Sequence, residues 1–206
     1  PDGLASFLLV YRFIGEGKGV PAKAGPKLDD TYVKVVDDYK PDKIFVLDIP
    51  IIEQEFLDKV NVPVVWVDHH EPVKRRGVKY FNPKLKSKTG YYPTSYLCYS
   101  AVRQDLWIAM VGIVGDYSLL HANDLAKEYP ELIKKNLRDP GKALFGSKIG
   151  ELTRVFSFAL MGGNSEAMQH VKALSRIKNP NEILDQTTPA GKFIYRKYNR
   201  FNRMFQ

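Results

Sequence analysis

The chain has 206 residues, 44% hydrophobic and 26% charged, which excludes a disordered or fibrous architecture and describes one large globular domain or two small ones. Its 31 Lys and Arg outnumber 23 Asp and Glu, for a net charge of +8, and residues 151–206 hold 9 of those bases against 4 of the acids. A basic surface gathers polyanions by releasing their counterions, so nucleic acid enters as a partner class.

No apolar run approaches the roughly 18 residues that a membrane span needs. A lone cysteine, Cys98, excludes an internal disulfide and a Cys-based zinc site, and no cleavable signal opens the sequence. The expectation is a soluble protein of a reducing, cytoplasmic compartment, with no membrane partner.

In chain order, a Pro1-Asp2-Gly3 turn runs straight into an apolar helical segment from Leu4 to Val10. With nothing ahead to cap it, that start reads as trimmed, with structurally needed residues upstream. Gly15, Gly17 and Gly19 follow a helix and lack a Lys-Ser or Lys-Thr pair, so they read as a helix exit and not as a phosphate loop. Lys43 to Asp48 is a β-rich run between Pro41 and Pro50, a buried strand ending in an acid. Ile51 to Val60 has helical spacing, with Ile52, Phe56 and Val60 on one face. Pro63 to Asp68 then repeats the strand that ends in an acid. Strand, helix, strand predicts a parallel, right-handed unit that brings Asp48 and Asp68 to the same edge of the sheet, the edge where open α/β sheets keep their sites.

Lys74 to Tyr92 carries seven Lys or Arg and no acid, and reads as a basic loop facing phosphate. Arg75, Arg76 and Lys79 are its substrate-binding candidates, followed by Lys84, Lys86 and Lys88. Pro93, Thr94 and Ser95 open a helix through Tyr99 and Val102, on which Cys98 reads as packed and not nucleophilic. Trp107, Met110, Val111 and Val114 recur at helical spacing until Gly115 and Asp116 break the pattern. Beyond Pro130 the pattern is helical: Lys148 to Leu160, Ser165 to Ile177 behind Asn164 as N-cap, and Pro180 to the terminus. The glycines within Met161 to Asn164 read as a helix C-cap. The predicted fold is α/β, a mainly parallel sheet flanked by helices over residues 1–145, followed by an α-helical connector over 146–206.

The chemistry concentrates at Asp68, His69 and His70, where two of the chain's four histidines stand together at a strand end. Neutral imidazole with carboxylates suits Mn, Fe or Zn, and several carboxylates can hold two ions that clamp a phosphodiester. Asp2 in its turn, Asp48 after one strand, Asp68-His69-His70 after the next, and Asp116 after Gly-Ile-Val-Gly resemble, in order and context, the four motifs of the DHH phosphoesterase superfamily. The resemblance spans Pro1 to about Leu120. That family comprises single-strand exonucleases, oligoribonucleases, cyclic-dinucleotide phosphodiesterases and inorganic pyrophosphatases.

The resemblance implies a two-metal Mn²⁺ or Mg²⁺ site. Asp2, Asp48, His69 and Asp116 would be the ligands, Asp48 bridging both ions, with a further ligand upstream of residue 1. His70 would face the scissile phosphate, and Asp68 would fix an imidazole from behind. The family's glycine-rich substrate domain, DHHA1, has no counterpart in this sequence. The function implied is hydrolysis of phosphodiesters in single-stranded nucleic acid or short oligonucleotides. The alternatives are a phosphatase or phosphodiesterase on small nucleotides, such as a bisphosphorylated adenosine or a cyclic dinucleotide, and a noncatalytic DHH-like scaffold in a nucleic-acid complex.

The terminal stretch interleaves Lys192, Arg196, Lys197, Arg200 and Arg203 with aromatic residues, a composition that binds single strands. Ile194, Tyr198, Phe201 and Phe205 fall on one helical stripe, which predicts docking on a missing domain or partner subunit.

Overall fold

A computed structural model of the chain describes residues 1–22, 27–86 and 90–202. The first helix, α1 (Asp2–Ile14), begins in the Pro-Asp-Gly turn and ends at Gly15, whose φ of 84° lies in the left-handed region that terminates helices. The sheet region follows: β1 (Lys27–Leu28), α2 (Val33–Tyr39), β2 (Ile44–Leu47), β3 (Ile51–Ile52), α3 (Gln54–Lys59), β4 (Val64–Val67) and β5 (Val78–Phe81). Strands β2, β4 and β5 form a parallel sheet in that spatial order, and β1 pairs with β3 in a separate parallel ladder. The chain is thus α/β, with a parallel sheet flanked by helices and a helical C-terminal region.

Two details of the expected pattern change. Ile51 and Ile52 belong to a strand and not to the following helix, because β1 offers them a parallel partner. The basic segment from Lys74 to Tyr92 is not all loop, since Val78 to Phe81 completes the sheet as its edge strand. Lysine tolerates an edge position, where its side chain reaches water.

Alternation along the strands sends side chains to opposite faces. Val46, Val64 and Trp66 enter a small core with Leu28, Ile52, Phe56 and Leu57. Leu47 and Val67, on the other face, pack against a larger core built on the helices. These are α4 (Thr94–Val102), α5 (Leu106–Gly115), α6 (Ala122–Glu128), α7 (Pro140–Gly146), α8 (Lys148–Ala159), α9 (Asn164–Leu174), α10 (Asn181–Leu184) and α11 (Pro189–Asn202). Helix α5 is the axis of that core, with every residue from Leu106 to Val114 buried. A helix apolar all round is stable only when surrounded, and α1, α4 and α8 supply the surround.

The helices after Gly146 share this core with α1 and α5, so a boundary at 145 and 146 does not separate two cores. The N-cap of α9 is Gly163 and not Asn164, which already lies in the helix. Helix α11 docks inside its own chain. Ile194 and Tyr198 are buried, and the Phe201 ring stacks on Phe158 at 5.3 Å. The described part of the stripe, Ile194, Tyr198 and Phe201, thus packs within this chain, against α8 and its neighbours α9 and α10. Lys197 is buried there too, bonded to Glu166 Oε1 at 3.0 Å and the Met161 carbonyl. Arg203 and Phe205 lie outside the described residues. Cys98 is buried, and burial pushes its thiol up to about 12, as a packed cysteine requires. No helix among the described residues is long and apolar enough to cross a membrane.

Candidate metal centre

The C-terminal ends of β2 and β4 lie side by side, Leu47 paired with Val67, and the Asp48 N–H continues the ladder by donating to the Val67 carbonyl at 3.0 Å. Asp48 then turns with φ 60°, a left-handed conformation uncommon for residues other than glycine and concentrated at functional sites. His69 stands at the end of the neighbouring strand. Its Nε2 lies 3.5 Å from Asp48 Oδ1 and 3.2 Å from Asp116 Oδ2. Asp116 arrives from the C-terminal end of α5 and Asp2 from the first turn of α1.

Ligand atoms of Asp2, His69 and Asp116 all lie within 4.8 Å of one another, as do those of Asp48, His69 and His70. The four expected ligands are thus brought together, at the expected edge. Bonds of about 2.0–2.2 Å to one ion place neighbouring ligand atoms about 3.0–3.5 Å apart, the separation found around His69 Nε2. A divalent cation fits this donor set. The buried His69 Nδ1 has no partner among the described residues, so Nε2 is the ring atom aimed at the carboxylates.

Electrostatics point the same way. Asp2 is 2% exposed, and burial, then the charges of Asp48 and Asp116, push its carboxyl up to about 7. The Asp116 carboxyl is raised by burial and by Asp48, against a lowering by His69. Burial pulls the His69 imidazole down, but the carboxylates of Asp48, Asp116 and Asp2 outweigh it and hold it above its ordinary value. Three carboxylates around one imidazole leave an excess of negative charge that a cation neutralises.

Neutral groups hold the carboxylates in place. The Asp2 carboxylate accepts the N–H groups of Thr94 at 2.7 Å and Ser95 at 3.0 Å, the free donors at the start of α4. Thr94 also donates its hydroxyl to Asp48 Oδ1 at 3.2 Å. Tyr91 donates its hydroxyl to Asp116 Oδ2 at 3.2 Å. Two glycines make room: a Cβ on Gly3 would stand 3.1 Å from Asp48 Oδ2, and one on Gly112 would stand 2.5 Å from Asp2 Oδ1 and collide with Ser95.

The paired histidines have different supports. Asp68, fully buried, accepts the His70 N–H at 3.0 Å and faces His70 Nδ1 at 2.7 Å. It orients His70 and not His69, and cannot itself touch a substrate. With Nδ1 committed, Nε2 is the His70 nitrogen left for a ligand. Asn82 fixes the same loop from below, donating to the His70 carbonyl at 3.0 Å.

The expected substrate-binding bases need correction. Parallel pairing puts Val78 opposite Val64, so Arg75 and Arg76 precede β5 at the N-terminal edge of the sheet, a strand length from the metal centre. Arg75 is committed to the Ile52 carbonyl and to Glu53. Arg76 is bound through its backbone to Gln54, with its side chain in solvent. Lys79 sits midway along β5, its Nζ 5.3 Å from the Phe81 ring. The bases that follow β5 on the site's own edge are Lys84 and Lys86; Lys88 lies outside the described residues. A groove of about 1140 Å³ beside α1 and β2 is lined by Phe7, Tyr11, Val36 and Phe45, with Gly3 and Asp48 also in its wall.

Thr94, Ser95, Tyr91 and Asn82 escape a reading of the sequence. Their only local signals are the Pro-Thr-Ser helix start and the Asn-Pro step. A scan against protein-family models returns no match, and a search of curated proteins returns none either.

Proposed function

We propose that the chain is a divalent-metal-dependent phosphoesterase of the DHH type, hydrolysing phosphodiester bonds of single-stranded nucleic acid or short oligonucleotides in the cytoplasm. The observation that carries the reading is His69 Nε2 set between Asp48 Oδ1 and Asp116 Oδ2, with Asp2 completing the group. Asp2, Asp48, His69 and Asp116 would hold Mn²⁺ or Mg²⁺, which would supply positive charge to lower the pKa of a bound water and to polarise a phosphoryl oxygen. The two overlapping ligand groups meet at His69, whose Nε2 can bind one ion, so they support a site for at least one cation.

The chain's own residues do the rest. Thr94 and Ser95 orient Asp2, Thr94 orients Asp48, and Tyr91 orients Asp116, so the ligands are fixed before a cation arrives. His70, side chain 42% exposed and with its Nδ1–H held by Asp68, would donate from Nε2 to a phosphoryl oxygen in its doubly protonated form. Lys84 and Lys86 add positive charge on the edge where a strand arrives.

The test is hydrolysis of labelled single-stranded DNA, RNA and dinucleotides with Mn²⁺. The reading expects cleavage that EDTA abolishes and that Asp116→Asn reduces by at least about a hundredfold. Metal-independent cleavage, or full activity of that variant, would overturn it.

A further inference from the structure

Tyr91 stands at the metal centre with its ring half in solvent. Its hydroxyl is anchored on Asp116 Oδ2 at 3.2 Å, and its ring meets the His69 ring edge-on, centroids 5.3 Å apart and planes 72° apart. Two fixed points hold the ring plane, yet 52% of the residue remains exposed. Exposed aromatic rings recur on this edge of the sheet. Phe81, whose carbonyl accepts the Asp68 N–H, is 47% exposed, and Tyr117, directly after Asp116, is 60% exposed.

A rigid ring kept in water beside a cation-binding group has a use when the ligand brings a planar apolar group of its own. A phosphodiester held at His69 and Asp116 carries its nucleoside within one nucleotide's reach of the Tyr91 ring. Inorganic or sugar phosphates bring no such group. We propose that Tyr91 is a base-stacking residue, so that this site selects a phosphodiester bearing a nucleobase next to the scissile phosphate. The inference rests on the phosphoesterase reading for the position of the phosphate. It adds to that reading by excluding base-free substrates and by making recognition tolerant of base identity, since every base has a π-face.

The experiment measures fluorescence anisotropy of fluorescein-labelled dT8, and of an abasic strand of the same length and charge, with Ca²⁺ in place of Mn²⁺. The wild-type chain is expected to bind dT8 at least about fivefold more tightly than the abasic strand, the low end of one base–ring stack. Tyr91→Phe keeps that preference, because it retains the ring. Tyr91→Trp increases it, and Tyr91→Leu loses it while binding the abasic strand as Tyr91→Phe does, since both variants lack the hydroxyl that orients Asp116. Equal wild-type binding of both strands would overturn the proposal, as would a leucine variant that keeps the preference or that, relative to Tyr91→Phe, loses both strands equally. Should the leucine variant not fold, the wild type and Tyr91→Trp decide alone. A parallel Mn²⁺ assay separates the two ideas: no hydrolysis sinks the phosphoesterase reading, whereas hydrolysis without a base preference sinks the stacking alone.

Discussion

Thr94 joins two acids 46 residues apart, its N–H on Asp2 Oδ2 at 2.7 Å and its hydroxyl on Asp48 Oδ1 at 3.2 Å. Helix α4 is thereby capped by a carboxylate from α1, and the strand-end acid is held by the same residue. A valine at 94 removes the hydroxyl and keeps the backbone bond. Thr94→Val is expected to weaken Mn²⁺ binding about ten- to a hundredfold, the range for a group that orients a ligand, and Thr94→Ser to keep most of the affinity. Isothermal titration with Mn²⁺ checks both.

The raised Asp2 carboxyl gives the metal-free protein a pH dependence of definite sign. An acid whose folded value is about 7 against an ordinary 3.8 binds its proton more tightly in the folded state. Its contribution is therefore greatest at acid pH and is lost as pH rises from about 4 through 7. The raised His69 imidazole acts in the same direction, lost as pH climbs through its folded value. In EDTA the melting temperature should fall between pH 5 and pH 8. Added Mn²⁺, which competes with those protons, should raise it more at pH 8 than at pH 5. A metal-free melt that rises toward pH 8 would count against the buried acidic cluster.

Helix α5 passes so close to Asp2 that only a glycine fits at 112. Gly112→Ala gains helix propensity but drives a methyl into the Asp2 carboxylate and Ser95. The overpacking should cost about 1–3 kcal/mol by urea unfolding and lower Mn²⁺ affinity with it. Gly146→Ala, at the end of α7, meets nothing within 4 Å and serves as the control.

Charge on the two edges of the sheet should behave differently. Replacing Lys84 and Lys86 by Ala is expected to raise KM for long single strands and to flatten the log–log salt dependence by about 1–2 units. Arg76→Ala, at the opposite edge, should leave both unchanged. Kinetics at several salt concentrations read the difference.

The frame of the site was legible because strands that end in acids make a local pattern. Lys43 to Asp48 and Pro63 to Asp68 each announce a buried strand and its terminal group, and parallel pairing then fixes the edge. The supports were not legible. Thr94 and Ser95 act on Asp2 across more than 90 residues, and an N–H that caps a distant carboxylate leaves no trace in composition. Strand β5 was hidden by the lysines and arginines around it, and with it the fact that Arg75 and Arg76 sit on the far edge. The stripe on α11 was visible, but an amphipathic face does not say what covers it.

The most direct measurement is Mn²⁺ titration, by calorimetry and by electron paramagnetic resonance, of the wild type and of Asp48→Asn. Asparagine is the better replacement, because it tolerates the left-handed backbone at φ 60° that alanine would strain. The account predicts saturable Mn²⁺ binding by the wild type, its loss or strong weakening in the variant, and a metal-free melting temperature for the variant equal to or above that of the wild type. Unchanged Mn²⁺ binding by Asp48→Asn would contradict the assignment of Asp2, Asp48, His69 and Asp116 as a metal centre.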